Sequence, residues 1–393
     1  MKIAFVSNYI NHHQIPFCNA MNCLLDGDFT FVQTEPMEQE RVQMGWDDTG
    51  LPGYVKCFYE EPECCKALIM DADVVVFGGT DDESYITERL ASGKPVVRYS
   101  ERLYKTGQWK AISPRGLRKK YNDHTKYRNS AVYLLCAGAY VASDFHIVRA
   151  YPQKMFCWGY FPETKIFEGT SLWNGKPSLD TVHIVWAGRF MPLKHPEFVV
   201  KLASDLKHAG HAFHVHFIGG GEMEEELRSE VKEKGLDDVI TMYGFLAPAK
   251  VREVMEQSHI HLFTRNHLGC FGAVVNEVIN SGCAEVVNSQ VGAAPFLIRH
   301  KQNGLVYKEG SYEDFRDCVM QLMENKELII EYGKAAYETI VSEWNAENAA
   351  SQVVRFYENW KQGIVEPPKS GPLSEAPVIS PKKMYGYMTG LQK

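Results

Sequence analysis

The chain has 393 residues, which at roughly 150 per domain gives two or three domains, each able to bury a core without a disulfide or metal staple. Its 45% hydrophobic and 23% charged residues sit at globular averages, which excludes disordered, collagen-like and coiled-coil readings for the bulk. A formal net charge of −7 argues against general nucleic-acid binding.

The first residues, Met1 to Asn8, carry one lysine and turn polar early, so they read as a buried first strand and not as a signal peptide. The predicted strands then run Ile3–Ser7, Phe29–Gln33, Val74–Gly78, Pro95–Tyr99 and Val132–Cys136. The apolar stretch 131–142 is too short to span a bilayer. After a break come Val182–Ala187, His214–Ile218, Ile240–Tyr243, Ile260–Phe263 and Ala284–Asn288. Amphipathic segments such as 196–209, 222–234 and 247–257 lie between them. Val74-Val75-Val76-Phe77 is apolar at consecutive positions, as a strand covered on both faces must be. The expected class is α/β, with two Rossmann-like doubly wound parallel-sheet domains. We place the first at 1–165, a linker at 166–180 and the second at 181–343. A terminal helix at 344–365, N-capped by Asn345, would cross back to the first domain, and a proline-rich flexible tail would fill 366–393. The ten cysteines are scattered apart from Cys64-Cys65, without a CxxC pair, which suits reduced thiols in a cytoplasmic protein.

Ligands of open parallel sheets bind beyond the carboxyl ends of the strands. The second domain offers three such places: Gly188-Arg189 with Lys194, Gly219-Gly220-Gly221, and 264–272 followed by a helix holding Glu277. An arginine and a lysine five apart beside a glycine suit a diphosphate, whose departing charge they would neutralise. Glu277 is placed to accept hydrogen bonds from a diol such as a ribose.

This order resembles the C-terminal domain of the GT-B-fold, retaining glycosyltransferases that include bacterial polysaccharide and lipid glycosyltransferases. The resemblance covers roughly residues 180–360. It is carried by Gly188-Arg189 with Lys194, Phe217–Glu222, Tyr243-Gly244-Phe245, Cys270-Phe271-Gly272 with Glu277, Asn303–Val306 and Trp344. It implies two domains facing a cleft and a nucleoside-diphosphate-sugar donor on the second of them. Arg189 and Lys194 would hold the diphosphate, Tyr243 and Phe245 would lie by the base, and Glu277 would bind the ribose. Gly219, Gly220, Cys270, Phe271 and Gly272 would line the donor site. The resemblance implies retention of configuration, and no metal or cofactor is expected. The first glutamate of the family's E-x7-E signature falls on Gly269, and its later Gly-Gly-x-x-Glu becomes Gly292-Ala293-Ala294-Pro295-Phe296. Arg265 and His267 are candidates for the sugar contacts. A sugar-nucleotide epimerase, a phosphorylase and a non-catalytic nucleotide-binding partner are the alternatives.

The first domain would take the acceptor, a saccharide or lipid-linked sugar. Its candidates are Asn8, Asn11, His12 and His13 after the first strand, the loop 78–82, and Glu101 as catalytic group, free to pair instead with Arg98 or Arg102. Three further patterns read as structural. Asp71-Ala72-Asp73 precedes a strand, on the wrong side of a parallel sheet. His208, His211, His214 and His216 fall on a helix end and along a strand. Gly219-Gly220-Gly221 lacks the last glycine of the dinucleotide fingerprint. Finally, Arg98 to Arg128 holds ten basic residues against Glu101 and Asp123, a local +8 that leaves −15 elsewhere. Arg115, Arg118, Lys119 and Lys120 are its centre, expected to dock on an anionic acceptor or on the inner face of a membrane; nucleic acid is not expected.

Overall fold

Thirteen strands form the frame of the computed structural model, which describes residues 1–39 and 50–391. They divide between two units, one of residues 1–163 and 343–380, the other of 164–342 and 381–393. The first unit holds β1 (Ile3–Ser7), β2 (Phe29–Gln33), β3 (Val55–Cys57), β4 (Val74–Gly78), β5 (Val96–Ser100), β6 (Val132–Ala137) and β7 (Met155–Trp158). The second holds β8 (Val182–Ala187), β9 (Phe213–Ile218), β10 (Ile240–Gly244), β11 (Ile260–Phe263), β12 (Ala284–Asn288) and β13 (Gly304–Tyr307).

All these strands pair in parallel, in the orders β3-β2-β1-β4-β5-β6-β7 and β10-β9-β8-β11-β12-β13. Both are doubly wound, and the order reverses between β1 and β4 in one sheet and between β8 and β11 in the other. At such a reversal the connections leave toward opposite faces, so a crevice opens at the carboxyl ends of the two strands. That locates the candidate sites: the loops after Ser7 and Gly78 in the first unit, and those after Ala187 and Phe263 in the second.

The strands at the switch points are the ones most evident from sequence. Every residue of β1 and of β4 is buried, because helices cover both faces. In the second unit Val182, Ile184 and Trp186 of β8 and Phe213, Val215 and Phe217 of β9 form one continuous core with the helices 197–208 and 312–324. A ring as fully enclosed as Phe217 contributes about 1.5–3 kcal/mol by its burial.

The predicted strand list lacks β3, β7 and β13, all of them three or four residues long and all at a sheet edge. The tail differs from the expected flexible segment in two stretches. Residues 373–376 lie along β7: Cys157 N–H donates to the Ser374 carbonyl (2.8 Å), and the amides of Leu373 and Ala376 donate to Cys157 and Met155. They supply the partner that the β7 edge otherwise lacks. Within the second unit, Pro381–Thr389 is a helix with Met384 buried and the Tyr385 hydroxyl donating to Asp314 (3.0 Å). The helix Ala346–Lys361 belongs to the first unit and packs on the helix Ile15–Leu24; Asn345 caps it by accepting from the Asn348 amide. Of the predicted linker, Ser171–Asn174 is a short helix, and the Lys176 ammonium donates to the carbonyls of Glu256, Ser258 and Ser281 in the second unit.

Candidate functional site

Around the β8/β11 switch point, glycines let separate loops touch through their backbones. Gly219 has φ +130°, and a Cβ there would lie 1.8 Å from the Gly188 carbonyl oxygen. The Gly188 amide donates to Ile218, that of Phe190 to Gly220, and that of Gly219 to Gly244. At Gly188 a Cβ would press on the Trp186 ring at 3.1 Å and come into ordinary contact with the Lys194 ammonium at 3.6 Å. Lys194 ends a 3-10 turn, and its carbonyl accepts from the Thr264 hydroxyl, which itself accepts from the Trp186 indole (2.8 Å). The same bracket therefore fixes Lys194 and the start of the 264–272 loop.

Three cations converge here. Burial, and then the charges of Arg265 and Arg189, push the Lys194 ammonium down to about 7. Both charged groups acting on Lys194 are positive, an arrangement that an anion would relieve. Arg189 is exposed and Arg265 half-buried. Sequence alone brought Arg189 and Lys194 together; the structure adds Arg265, from the loop after β11, which is three strands further along the chain and next to β8 in the sheet.

The loop itself is held firmly. The Asn266 amide donates to the Leu193 carbonyl, and Glu309 accepts from both the backbone and the ring of His267 (2.8 and 2.5 Å). His267 is thus engaged within the protein. Gly269 is buried, with Arg265 lying directly on it. The Phe271 ring is part of the core and its carbonyl accepts from the Ala293 amide; Cys270 is half-buried, and Gly272 (φ +91°) passes between Val291 and the Phe263 ring. Glu277 lies in the short helix Val274–Asn280, where burial raises its carboxyl pKa while Arg252 and His261 oppose that shift. The Phe245 ring is 66% exposed and lies against Gly220, a flat apolar surface open to a planar partner. Tyr243 is drawn instead to His216, whose Nδ1 lies 2.9 Å from its hydroxyl.

At the β1/β4 switch point the first unit has a cavity of about 910 Å3, lined among others by Asn8, Asn11, His13 and Glu101. Gly79, with φ +80°, is needed for closure, since a Cβ would lie 2.2 Å from the Ser7 hydroxyl. Asn11 organises its loop by donating to Gln14 and accepting from the His13 amide. The His12 and His13 rings lie 3.9 Å apart, His13 lining this cavity and His12 a neighbouring groove beside Asn19 and Ser351. Glu101 pairs with neither arginine proposed for it. Its two oxygens accept from the Tyr160 hydroxyl (3.0 Å) and the Lys105 ammonium (3.2 Å). Arg98 forms a two-point ion pair with Glu83 (2.8 and 2.7 Å), and Arg102 meets the fully buried Asp144.

The basic block therefore divides. Arg98, Arg102 and Lys105 are used internally, and Lys120 turns to the cavity, where burial lowers its pKa. Lys120 thus leaves the outward patch to which the sequence assigned it. Arg115, Arg118 and Lys119 remain exposed on the helix Pro114–Asp123, which has no buried residue; Lys119 pairs with Asp123. Around them Trp109, Ile112, Leu117 and Tyr121 are 68%, 78%, 41% and 57% exposed.

Residues 174–339 match the family model described as glycosyl transferases group 1. The matched stretch lies within the second unit. One relative is the poly(ribitol-phosphate) alpha-N-acetylglucosaminyltransferase of Staphylococcus aureus, 19% identical over 169 residues, 43% of this chain and 34% of that protein. Another is the GDP-mannose-dependent alpha-(1-6)-phosphatidylinositol monomannoside mannosyltransferase of Mycobacterium tuberculosis, 22% identical over 179 residues, 44% of this chain and 46% of that one. The chain thus matches less than half the length of either relative. Among solved structures, HepE of Anabaena, in complex with UDP and glucose, has a TM-score of 0.64 at 12% identity, covering 91% of this chain and 99% of its own. A variant of S. aureus TarM in complex with UDP has a TM-score of 0.62 at 10% identity, covering 91% and 100%. These likenesses show the fold, a GT-B type with two Rossmann-like domains.

The matched stretch contains Arg189, Lys194, Phe245, Arg265, Gly269 and Glu277. Sequence reasoning missed Thr264 and Trp186 as its bracket, and Tyr160 and Lys105 as the partners of Glu101. Lys105 was within reach, four residues after Glu101; Tyr160, 59 residues away, gives no local signal. The histidines stay structural and gain two members. His183 Nδ1 lies 2.8 Å from His216 Nε2, His214 bonds Thr241, and the His183 amide donates to His259. Asp73 accepts from the Lys2 amide at the amino end of β4, away from the crevice.

Proposed function

We propose that this chain transfers a sugar from a nucleoside diphosphate sugar to an acceptor hydroxyl, with retention of configuration and without a metal ion. The bond between the anomeric carbon and the diphosphate oxygen breaks, and its electron pair leaves with the diphosphate. The acceptor oxygen bonds that carbon and gives up its proton. Arg189 and Lys194 take the diphosphate charge, the role a divalent cation fills elsewhere. Phe245 stacks on the base and Glu277 accepts from the ribose hydroxyls. The acceptor lies in the first unit by Asn8, Asn11 and His13, with Glu101 drawing on its hydroxyl. The observation that carries this reading is the positive field on Lys194 at the β8/β11 switch point. Retention rests on the family resemblance.

The acceptor class we infer is a saccharide or lipid-linked sugar at an anionic membrane face, as in surface polysaccharide or glycolipid synthesis. The support is the helix Pro114–Asp123, which sets Arg115 and Arg118 among exposed Trp109, Ile112, Leu117 and Tyr121. Cations that reach lipid headgroups while apolar side chains enter the interface bind reversibly, at about 1 kcal/mol per cation.

The test is thermal unfolding across UDP, GDP, ADP and their sugars. A nucleoside diphosphate at about a hundred times its Kd should stabilise the fold by about 2.7 kcal/mol. Arg189→Ala and Lys194→Ala should abolish that stabilisation. No shift with any nucleotide, or an undiminished shift in both variants, sinks the reading.

A further inference from the structure

We propose that Arg265 selects a donor whose sugar bears a carboxylate, a nucleoside-diphosphate-activated uronic acid. This rests on the donor reading above and deepens it.

The first ground is the shape of the loop at position 269. A Cβ there would lie 1.7 Å from Arg265 Nε and within 2.5 Å of its Cζ and Cδ. Gly269 does not have a left-handed backbone, so glycine is present for space and not for conformation. The space it leaves is filled by the arginine side chain, and any other residue would drive the guanidinium off the loop. Gly269 and Arg265 thus form a single device, a guanidinium seated on bare backbone.

The second ground is where this device stands. Arg265 directly follows Thr264, whose hydroxyl ties Trp186 to the Lys194 carbonyl, so both cations rest on one rigid bracket. Their charges act on each other, and Arg189 adds a third. Each phosphoryl group of a nucleotide sugar carries one negative charge, and Arg189 with Lys194 matches the pair. Arg265 brings a third positive group to a ligand of which only the sugar remains to be recognised. A planar guanidinium binds a carboxylate through two parallel hydrogen bonds, a geometry that a neutral sugar hydroxyl cannot return.

The third ground is the anchoring of His267. Glu309 holds His267 through both the backbone amide and the ring, which ties the loop to the segment after β13. Recognition by a preset arginine needs such an anchored loop.

The experiment measures Kd by calorimetry for UDP-glucose against UDP-glucuronate and GDP-mannose against GDP-mannuronate, with UDP and GDP as references. The wild-type protein should bind one uronate at least about tenfold more tightly than its neutral counterpart. Arg265→Gln should bring that ratio near one, and Gly269→Ala, which displaces the arginine without removing it, should do the same. Reading a ratio cancels any loss shared through the diphosphate. A neutral sugar bound as well as or better than the uronate overturns the proposal, as does a ratio that survives Arg265→Gln in a protein with unchanged unfolding temperature. If UDP and GDP themselves fail to bind, the donor reading has failed first.

Discussion

The crevices at the two switch points are both strand ends running into glycine-containing loops, yet they handle charge in opposite ways. In the first unit most of the charges at the crevice are answered nearby, Glu101 by Tyr160 and Lys105, Arg98 by Glu83 and Arg102 by Asp144, with Lys120 the exception. In the second unit Lys194 is surrounded by cations, with burial and two arginines all working against its proton. A balanced pocket suits a neutral ligand that exchanges hydrogen bonds; an unbalanced one holds its free energy in reserve for an anion. On the proposed function, this contrast keeps an anionic donor and a neutral acceptor from occupying each other's place.

The largest effect that would break this comparison is on turnover. Lys194→Ala should lower kcat/KM by about 10²–10³-fold, the usual loss when one preset charge stabiliser is removed. Glu101→Gln, which keeps the shape and removes the charge, should lower it by about 10²-fold. The two are separated by binding: the Kd for a nucleoside diphosphate should rise in Lys194→Ala and stay level in Glu101→Gln. A rise in both would mean that the first crevice also handles the diphosphate.

Next in size is a contrast in stability. Gly219 and Gly79 both have positive φ, which strains any other residue by about 1–3 kcal/mol. A Cβ at Gly219 meets the Gly188 carbonyl, a backbone atom that cannot turn aside; one at Gly79 meets the Ser7 hydroxyl, which can. Overpacking should therefore add about 1–3 kcal/mol in Gly219→Ala alone. Urea denaturation should show Gly219→Ala as the more destabilised, and Ser7→Ala should recover part of the loss in Gly79→Ala. Equal losses would mean that the first crevice is as tightly laced as the second.

These particulars also mark how far the sequence could be read. β1 and β4 are visible because their full burial favours apolar residues at successive positions, and β8 and β11 because one histidine alone interrupts an apolar run; the switch points follow from them. β3, β7 and β13 are not, because an edge strand is short and part of its burial comes from elements far along the chain, as residues 373–376 do for β7. Arg189 and Lys194 lie on one loop and could be paired by spacing. Arg265 joins them only because β11 lies beside β8, and its seat on Gly269 is a matter of side-chain path. The buried pair His261 and Glu285 was hidden for a related reason. Each sits singly in an apolar strand, and parallel register alone sets them opposite each other, 2.8 Å apart with both side chains fully enclosed.

The smallest effect is also the most direct probe of the charge contrast, because it counts protons. The lysine titrates at 10.5 in its ordinary state and at about 7 here, so between those values the unfolded chain holds more protons than the native one. The unliganded protein should therefore gain stability from this group as pH rises through that window. A bound diphosphate supplies the missing negative charge and raises the Lys194 pKa again. Binding at about pH 8 should then take up close to one proton, and binding at about pH 6 almost none, since the ammonium is already protonated. Affinity should accordingly fall as pH rises above about 7. Calorimetry in buffers of different ionisation enthalpy reads this uptake, and Lys194→Arg, which stays charged throughout, should abolish it. Uptake that persists in Lys194→Arg would move the titrating group elsewhere and remove the field on Lys194 as the feature that sets the second crevice apart.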